Sequence, residues 1–320
     1  MKELPINVLK FFGVNISTCC KFLNLHNLYD DIIFKKRRSH YEDEIINWIK
    51  TFYTKPIIPN YREPKKYEID VFIPEISFGI EFNGTYWHSI EIKGSKYHYN
   101  KTKYFKNLGI QLFHIYEYEW CDPKIQFKIK QYLKSIILNN YEVIGARHCQ
   151  IREVSTTEIK EFLNNYHFQN NIGAKIKLGL YYKDELIQVM TFGKPRYNKN
   201  YEWELLRLCT KFSYKVIGGT EKLFKYFIDN YNPKSVISYC DLDKFTGNIY
   251  SRLGMEKTLI TSINYKWINL KTNEVLTRYK TQRHLLNETN KNLSELDIMR
   301  YKGYVKIENS GTDTYIWKLN

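Results

Sequence analysis

Two short runs with alternating apolar residues, Tyr67–Ile73 and Phe78–Asn83, are separated by Pro74-Glu75-Ile76-Ser77. A period of two sends successive side chains to opposite faces of a strand. Two such runs across a proline-led break predict an antiparallel hairpin. With the turn centred between Glu75 and Ile76, Asp70 and Glu81 fall opposite each other, roughly 4.5–5.5 Å apart at Cβ. Ile69, Val71, Ile73, Ile80 and Phe82 take the other face. Two carboxylates that close repel unless a cation neutralises them. A hard divalent ion with oxygen ligands, Mg²⁺ or Mn²⁺, suits the pair, and it would polarise a phosphoryl oxygen and generate hydroxide. Ordinary polar positions on a half-exposed hairpin are the plain alternative. Asn83 shares the carboxylate face, and Gly84-Thr85-Tyr86-Trp87-His88 follows directly. A histidine there suits a general base or a phosphate contact.

The hairpin sits inside an α-β-β-α-β-α order. Ser39 precedes a helix over 41–53 that places Ile45, Ile46, Ile49 and Phe52 on one side, with Glu42 three residues on as a capping-box partner. Residues 97–108 read as a helix ended by Gly109, with His98 and Lys101 on one face. Ile110–Tyr116 reads as a buried strand, and 123–138 as a further helix. Before this unit, residues 5–24 suggest two short helices about Gly13, near the spacing of a helix-turn-helix, although any small helical hairpin would look the same. The linker Lys35-Lys36-Arg37-Arg38 suits phosphate contact or plain solvation.

After Asn139-Asn140 the pattern restarts. A helix is expected over 156–166, a hairpin over 177–182 and 186–192, and a strand over 202–209. A helix from Thr220 to Tyr231 opens at Gly218-Gly219, and strands follow over 235–239 and 258–266 around a helix at 247–253. From 294 the chain reads as one helix and a hairpin over Asn309-Ser310-Gly311-Thr312-Asp313.

Charge separates these regions. The formal net charge is +15, distributed as +4 over residues 1–38, +1 over 39–145 and +10 over 146–320 (28 basic against 18 acidic). A polyanion is the economical partner, and double-stranded DNA the expected one. Hydrophobic residues at 43%, with 28 Tyr and 18 Phe, are enough to build packed cores. No apolar run approaches the ~20 residues of a membrane span, and Met1-Lys2-Glu3 is no signal-peptide start. The six cysteines form no Cys-x-x-Cys pair, so neither a disulfide framework nor a zinc site is expected. The expected location is the reducing cytoplasm of a bacterial host.

Asp70, followed after ten residues by Glu81-Phe82-Asn83, resembles the PD-(D/E)XK nuclease core, with Asn83 where the usual lysine would stand. With Gly84–His88, Lys101, Leu108-Gly109-Ile110 and Tyr116–Trp120, residues 39–125 look like the very short patch repair endonuclease and its phage relatives, the EDxHD homing endonucleases. The resemblance implies a restriction-endonuclease-like domain over 39–140. Asp70 and Glu81 would hold the metal, His88 would move a proton, and Glu42 would position a water or the histidine. Tyr86 and Trp87 would wedge into the base stack. The final acid of that pattern has no counterpart, because Lys93 stands there. His98 and Lys101 are expected in its place, Lys101 meeting the phosphorane charge.

In the second half, Lys215-Val-Ile-Gly-Gly-Thr220 and Ile249–Met255 look like the acetyl-CoA loop and late helix-turn of acetyltransferase-like folds. Tyr239-Cys240-Asp241 with Gly247 is similar to the Mom-type DNA-modification branch. Close packing explains a Gly-Gly helix start equally well. The expectation is therefore a mixed α/β protein in three parts. They are a helical segment over 1–38, a nuclease domain over 39–140, and a basic acetyltransferase-like domain over 146–320 that binds DNA. Arg196, Arg207, Arg252 and Lys266 would contact DNA together with Lys36, Arg37 and Arg38. Gly218, Gly219 and Thr220 would bind acetyl-CoA if that loop functions. The main expected activity is metal-dependent, site-specific DNA cleavage. The alternatives are acyl transfer to DNA or protein by the C-terminal half, and DNA binding by an inactive nuclease fold.

Overall fold

The computed structural model describes residues 39–62, 66–286 and 293–319. The helical segment expected over 5–24 and the cluster Lys36, Arg37 and Arg38 lie outside the described residues. The chain divides into a unit over Met1–Ile45 and a unit over Ile46–Asn320. Across that division runs helix α1 (His40–Lys50), which carries Glu42 and Asp43 in its first turn, where acidic groups favour the helix dipole. Ser39 Oγ accepts from the Tyr41 amide at 3.3 Å.

In the larger unit, β1 (Ile58–Tyr61), β2 (Ile69–Ile73), β3 (Phe78–Asn83) and β4 (Gln111–Tyr116) form a sheet in that order. β2 and β3 pair antiparallel, Val71 with Ile80, Phe72 with Gly79 and Ile73 with Phe78. One step further, this register sets Asp70 against Glu81. The turn is a short 3-10 segment, Pro74–Ile76, closed by Ser77 at φ +48°. β3 and β4 are parallel and need a crossover, which α2 (Ile90–Lys93) and α3 (Tyr97–Asn107) supply. Every residue of β3 is buried, so both faces of the hairpin are covered and the half-exposed hairpin is not what forms. Helices α4 (Glu117–Trp120) and α5 (Pro123–Leu138) follow, α5 capped by Asp122.

Strand β5 (Glu142–Gly145) leads to β6 (Gln150–Glu153), α6 (Thr156–Tyr166), β7 (Ile176–Tyr182), β8 (Glu185–Gly193), β9 (Trp203–Thr210), β10 (Tyr214–Ile217), α7 (Gly219–Tyr231), β11 (Ser235–Asp241), α8 (Asn248–Arg252) and β12 (Glu256–Ser262). After β13 (Tyr265–Asn269) and β14 (Val275–Thr277) come α9 (Glu295–Tyr301), β15 (Tyr304–Glu308) and β16 (Thr312–Lys318). The main sheet has seven strands in the order β12-β16-β11-β9-β8-β7-β6. All its pairs are antiparallel except β9 with β11. Its core gathers Leu178, Leu180, Ile187, Met190, Phe192, Leu223, Phe227 and Val236, with Phe192 and Phe227 stacked at 3.6 Å. β5 pairs with β10 in parallel.

Two expectations about the C-terminal stretch change. The strand over 258–266 is two strands in different sheets, β12 beside β16 and β13 between β14 and β15. The terminal hairpin does not form either, because β15 pairs with β13 while β16 pairs with β11 and β12. Asn309-Ser310-Gly311 hands the chain from one sheet to the other, and buried Ser310 is held there by Thr102 and Asp243.

The two sheets are joined along β4. Its outer edge is covered by residues 243–246, with the His114 amide donating to the Asp243 carbonyl at 2.8 Å, Gln111 Nε2 to the Lys244 carbonyl, and Lys244 Nζ to the His114 carbonyl. An edge strand left open would present unpaired amides and carbonyls.

Candidate functional site

Helix spacing builds the first cluster. His98, Lys101, Thr102 and Phe105 recur at the three- and four-residue intervals of one helix face, and all four are buried against the hairpin. Lys101 Nζ donates to Glu81 Oε1, with both side chains 2% exposed. Glu81 Oε2 is buried with no hydrogen-bond partner among the described residues. Asp70 Oδ2 accepts from the Phe82 amide at 2.7 Å. Two carboxylates thus share one ammonium. Burial first, then the charge of Asp70, pushes the Glu81 carboxyl up to about 8 against the pull of Lys101. Burial opposes the charge on Lys101, but Glu81 and Asp70 outweigh it and raise its pKa.

Beside this pair runs a line of imidazoles. His88 Nδ1 and His98 Nε2 are 3.1 Å apart with the rings stacked. Burial, and then Lys101, lowers His98 to about 3, so this ring is neutral. Asn83 Nδ2 lies 3.1 Å from His114 Nδ1, and His114 Nε2 lies 2.7 Å from Thr102 Oγ1. An amide can only donate through nitrogen, so Nδ1 of His114 accepts and Nε2 carries the proton. The Thr102 hydroxyl in turn donates to Ser310 Oγ at 2.9 Å. The Ser310 amide donates to Asp243 Oδ1, which also accepts from the Tyr116 hydroxyl.

The structure therefore brings Asp70, Glu81, Asn83, His88, His98 and Lys101 into one neighbourhood. Glu42 lies in the first turn of α1. Tyr86 and Trp87 are exposed on the loop after β3, edge to face at 5.1 Å. His114 was not among the sequence candidates; it reads as one more position of a buried strand, and only the parallel register with β3 sets it beside Asn83.

A second feature lies in the seven-stranded sheet. β9 and β11 pair only at Trp203–Val236, Glu204–Ile237 and Leu205–Ser238. Beyond those residues, Leu206–Thr210 and Tyr239–Asp241 part, and the edges they turn toward each other have no ladder between them. The gap opens into a cleft of about 2420 Å³ lined by Leu206, Cys209, Tyr239, Tyr250, Lys215 and Thr220, among others. α7 starts beside it. Gly218 sits at φ +74°, a left-handed conformation that glycine adopts without steric cost. A Cβ on Gly219 would stand 2.3 Å from Gln188 Oε1 and 2.7 Å from Val216 Cγ1, so close packing alone requires glycine there. Thr220 Oγ1 accepts from Gln188 Nε2 at 3.1 Å.

The cations expected to meet DNA have varied surroundings. Arg196 grips buried Glu204 through its amide, Nε and Nη2. Arg207, 6% exposed, donates to the carbonyls of Gln169, Asn170 and Leu206, and burial lowers its pKa to about 10. Lys266 lies over the Tyr118 ring at 4.4 Å, and exposed Arg252 is 3.4 Å from Glu221. Trp267 is core, with Nε1 donating to Glu295 at 2.8 Å.

No protein-family profile matches this chain, and no curated protein sequence matches it. Solved structures to which it is similar include three acetyltransferases. One, from Bacillus anthracis str. Ames, is assigned as a streptothricin acetyltransferase and was solved with acetyl coenzyme A. It is 12% identical, covering 53% of this chain and 99% of its own, with a TM-score of 0.30. A Bacillus subtilis acetyltransferase in complex with CoA is 12% identical, covering 54% and 99%, with a TM-score of 0.31. A GNAT family acetyltransferase from Elizabethkingia anophelis with acetyl-CoA bound is 14% identical, covering 54% and 99%, with a TM-score of 0.29.

The expected enzyme class is corrected at this point. These three structures are transferases solved with acetyl-CoA or CoA, and none of the three is a Mg²⁺-dependent DNA hydrolase. In the carboxylate cluster, the cation facing Asp70 and Glu81 is Lys101. Among the described residues no group of three or more His, Cys, Asp or Glu is placed to hold a metal ion. The restriction-endonuclease-like reading of residues 39–140 receives no support from these comparisons. No helix among the described residues is long and apolar enough to cross a membrane.

Proposed function

We propose that residues 146–320 form an acyl-CoA-dependent transferase. The observation that carries this reading is the parting of parallel β9 and β11 after Leu205 and Ser238. Diverging strands leave backbone N–H and C=O groups without ladder partners, and such groups seek hydrogen bonds. An extended ligand with its own amides, such as the pantetheine arm of CoA, pairs with them as an added strand would. The start of α7 at Gly218-Gly219-Thr220 faces the same cleft through Thr220, and a helix N-terminus favours phosphate.

In the transfer, an N–H or O–H nucleophile on the acceptor attacks the thioester carbonyl and gives up its proton to solvent, the C–S bond breaks, and the departing CoA thiolate takes up a proton. Tyr250 is suited to supply it. Its hydroxyl lies 3.4 Å from the Tyr239 carbonyl beside the opening, and burial raises its pKa well above the usual tyrosine value, so it stays protonated. The test is acetyl-CoA titration into the full chain by calorimetry, followed by transfer of labelled acetyl groups. Tyr250→Phe should keep binding and slow transfer by about 10²-fold or more. No heat, and no rise in Tm at millimolar acetyl-CoA, would overturn the reading.

A further inference from the structure

We propose that the cleft beside this opening binds a single-stranded nucleic acid, its bases stacked on Tyr197 and Tyr279, so that the acyl acceptor is a base or sugar of that strand. The identity of the acceptor rests on the transferase reading, whereas the binding itself does not.

Size comes first. About 2420 Å³ is well beyond the roughly 300–1,000 Å³ of a small-molecule pocket, so a polymer fits where one cofactor would leave space. Charge comes second. Eight basic and five acidic residues line the cleft. Three of the acids are already paired, Glu75 with Lys55, Glu119 with Lys244 and Glu204 with Arg196. Setting those pairs aside, together with Arg252, which pairs with Glu221 outside the lining, leaves Arg207, Lys215, Lys266 and Arg278 against Asp241 and Asp243. Two of the four, Lys215 and Arg278, are exposed, and a surplus of exposed cations attracts a phosphate backbone.

The aromatic side chains select the form of the nucleic acid. Tyr197 and Tyr279 are each 75% exposed, so most of each ring is open to solvent. Arg196 lies 5.3 Å from the Tyr197 ring, and Arg278 precedes Tyr279 in the chain. Exposed rings in a cleft with surplus basic residues suit unstacked bases, since every base has a π-face. In a duplex those faces are covered by neighbouring base pairs. Tyr197 also meets Tyr239 edge to face at 5.7 Å, and Tyr239 is the first residue of β11 past the paired stretch. A base stacked on Tyr197 is thereby held at the edge of the opening.

The test is fluorescence anisotropy of a labelled 20-nucleotide single strand, its duplex and a polyglutamate peptide with the full chain at two salt concentrations. The single strand should bind at least about ten-fold more tightly than the duplex. Tyr197→Ala and Tyr279→Ala should each weaken binding by about ten-fold, while the Phe variants retain it. Duplex binding as tight as the single strand, equal competition by polyglutamate, or Ala variants that bind like the parent would overturn the proposal. Acetyl-CoA affinity, measured on the same variants, should not change. If acetyl-CoA fails to bind while tyrosine-dependent strand binding persists, the transferase reading falls and the nucleic-acid surface stands; the reverse result overturns only the surface.

Discussion

Lys101 and Glu81 form an ion pair in which each side chain is 2% exposed, and the second oxygen of Glu81 has no partner among the described residues. The pair lies between α3 and β3, where water cannot take over if one partner is removed. A buried pair of this kind costs desolvation on both sides, and its loss is felt mainly as the exposed need of the partner left behind.

Lys101→Met should therefore destabilise the protein by about 3–5 kcal/mol in urea denaturation. The loss should be larger at pH 8.5 than at pH 5, where Glu81 is already protonated in the parent and removing Lys101 leaves no buried carboxylate charge beside it. Pairing it with Glu81→Gln should recover part of the loss. A single variant as stable as the parent at pH 8.5 would show that the pair contributes nothing to the fold.

The pH dependence has a definite sign. Glu81, with its pKa raised to about 8, and Asp243, raised to about 7, bind more protons folded than unfolded above their ordinary carboxyl range. Their contributions are present at low pH and are lost as pH rises to those values. His98, lowered to about 3, acts oppositely, and its contribution is lost as pH falls below 6.5. The effects compete between about pH 4.5 and 6.5, and only the carboxyl losses remain above that. Glu81→Gln should flatten the decline in stability between pH 6.5 and 8, measured as the urea midpoint across that range.

At the start of α7 the two glycines should respond differently. Gly219→Ala forces a Cβ onto Gln188, Val216 and Leu180 and should cost about 1–3 kcal/mol. Gly218→Ala meets nothing closer than 3.8 Å and should cost only about 1 kcal/mol for its left-handed backbone. Thermal unfolding of both variants checks the order.

Arg196→Ala strands the fully buried Glu204 carboxylate. It should unfold the protein more readily by about 3 kcal/mol or more, and Arg196→Lys should restore only part, since one ammonium cannot reproduce the fork. Equal stability of the Ala variant in guanidinium titration would mean that Arg196 is held only loosely.

Much of the hairpin was legible because its causes are local. A period of two and a proline-led turn determine that Asp70 faces Glu81, and helical spacing puts His98 and Lys101 on one side of α3. His114 was not legible, because nothing near it in the chain distinguishes it from a core residue; its partner Asn83 arrives through a parallel pairing across a crossover. The terminal hairpin was misread for the same kind of reason. Asn309–Asp313 has turn chemistry, yet β15 and β16 each find a better-matched neighbour elsewhere.

The sequence by itself determined the element types, the carboxylate register and the basic character of the C-terminal half, all set by nearest-neighbour geometry and composition. Only the tertiary structure decided that Lys101 neutralises Glu81, that Arg196 and Arg207 are engaged internally, and that β9 and β11 part to open a cleft. Those outcomes depend on which distant groups are desolvated together, and pairing across tens of residues leaves no periodic trace in the chain.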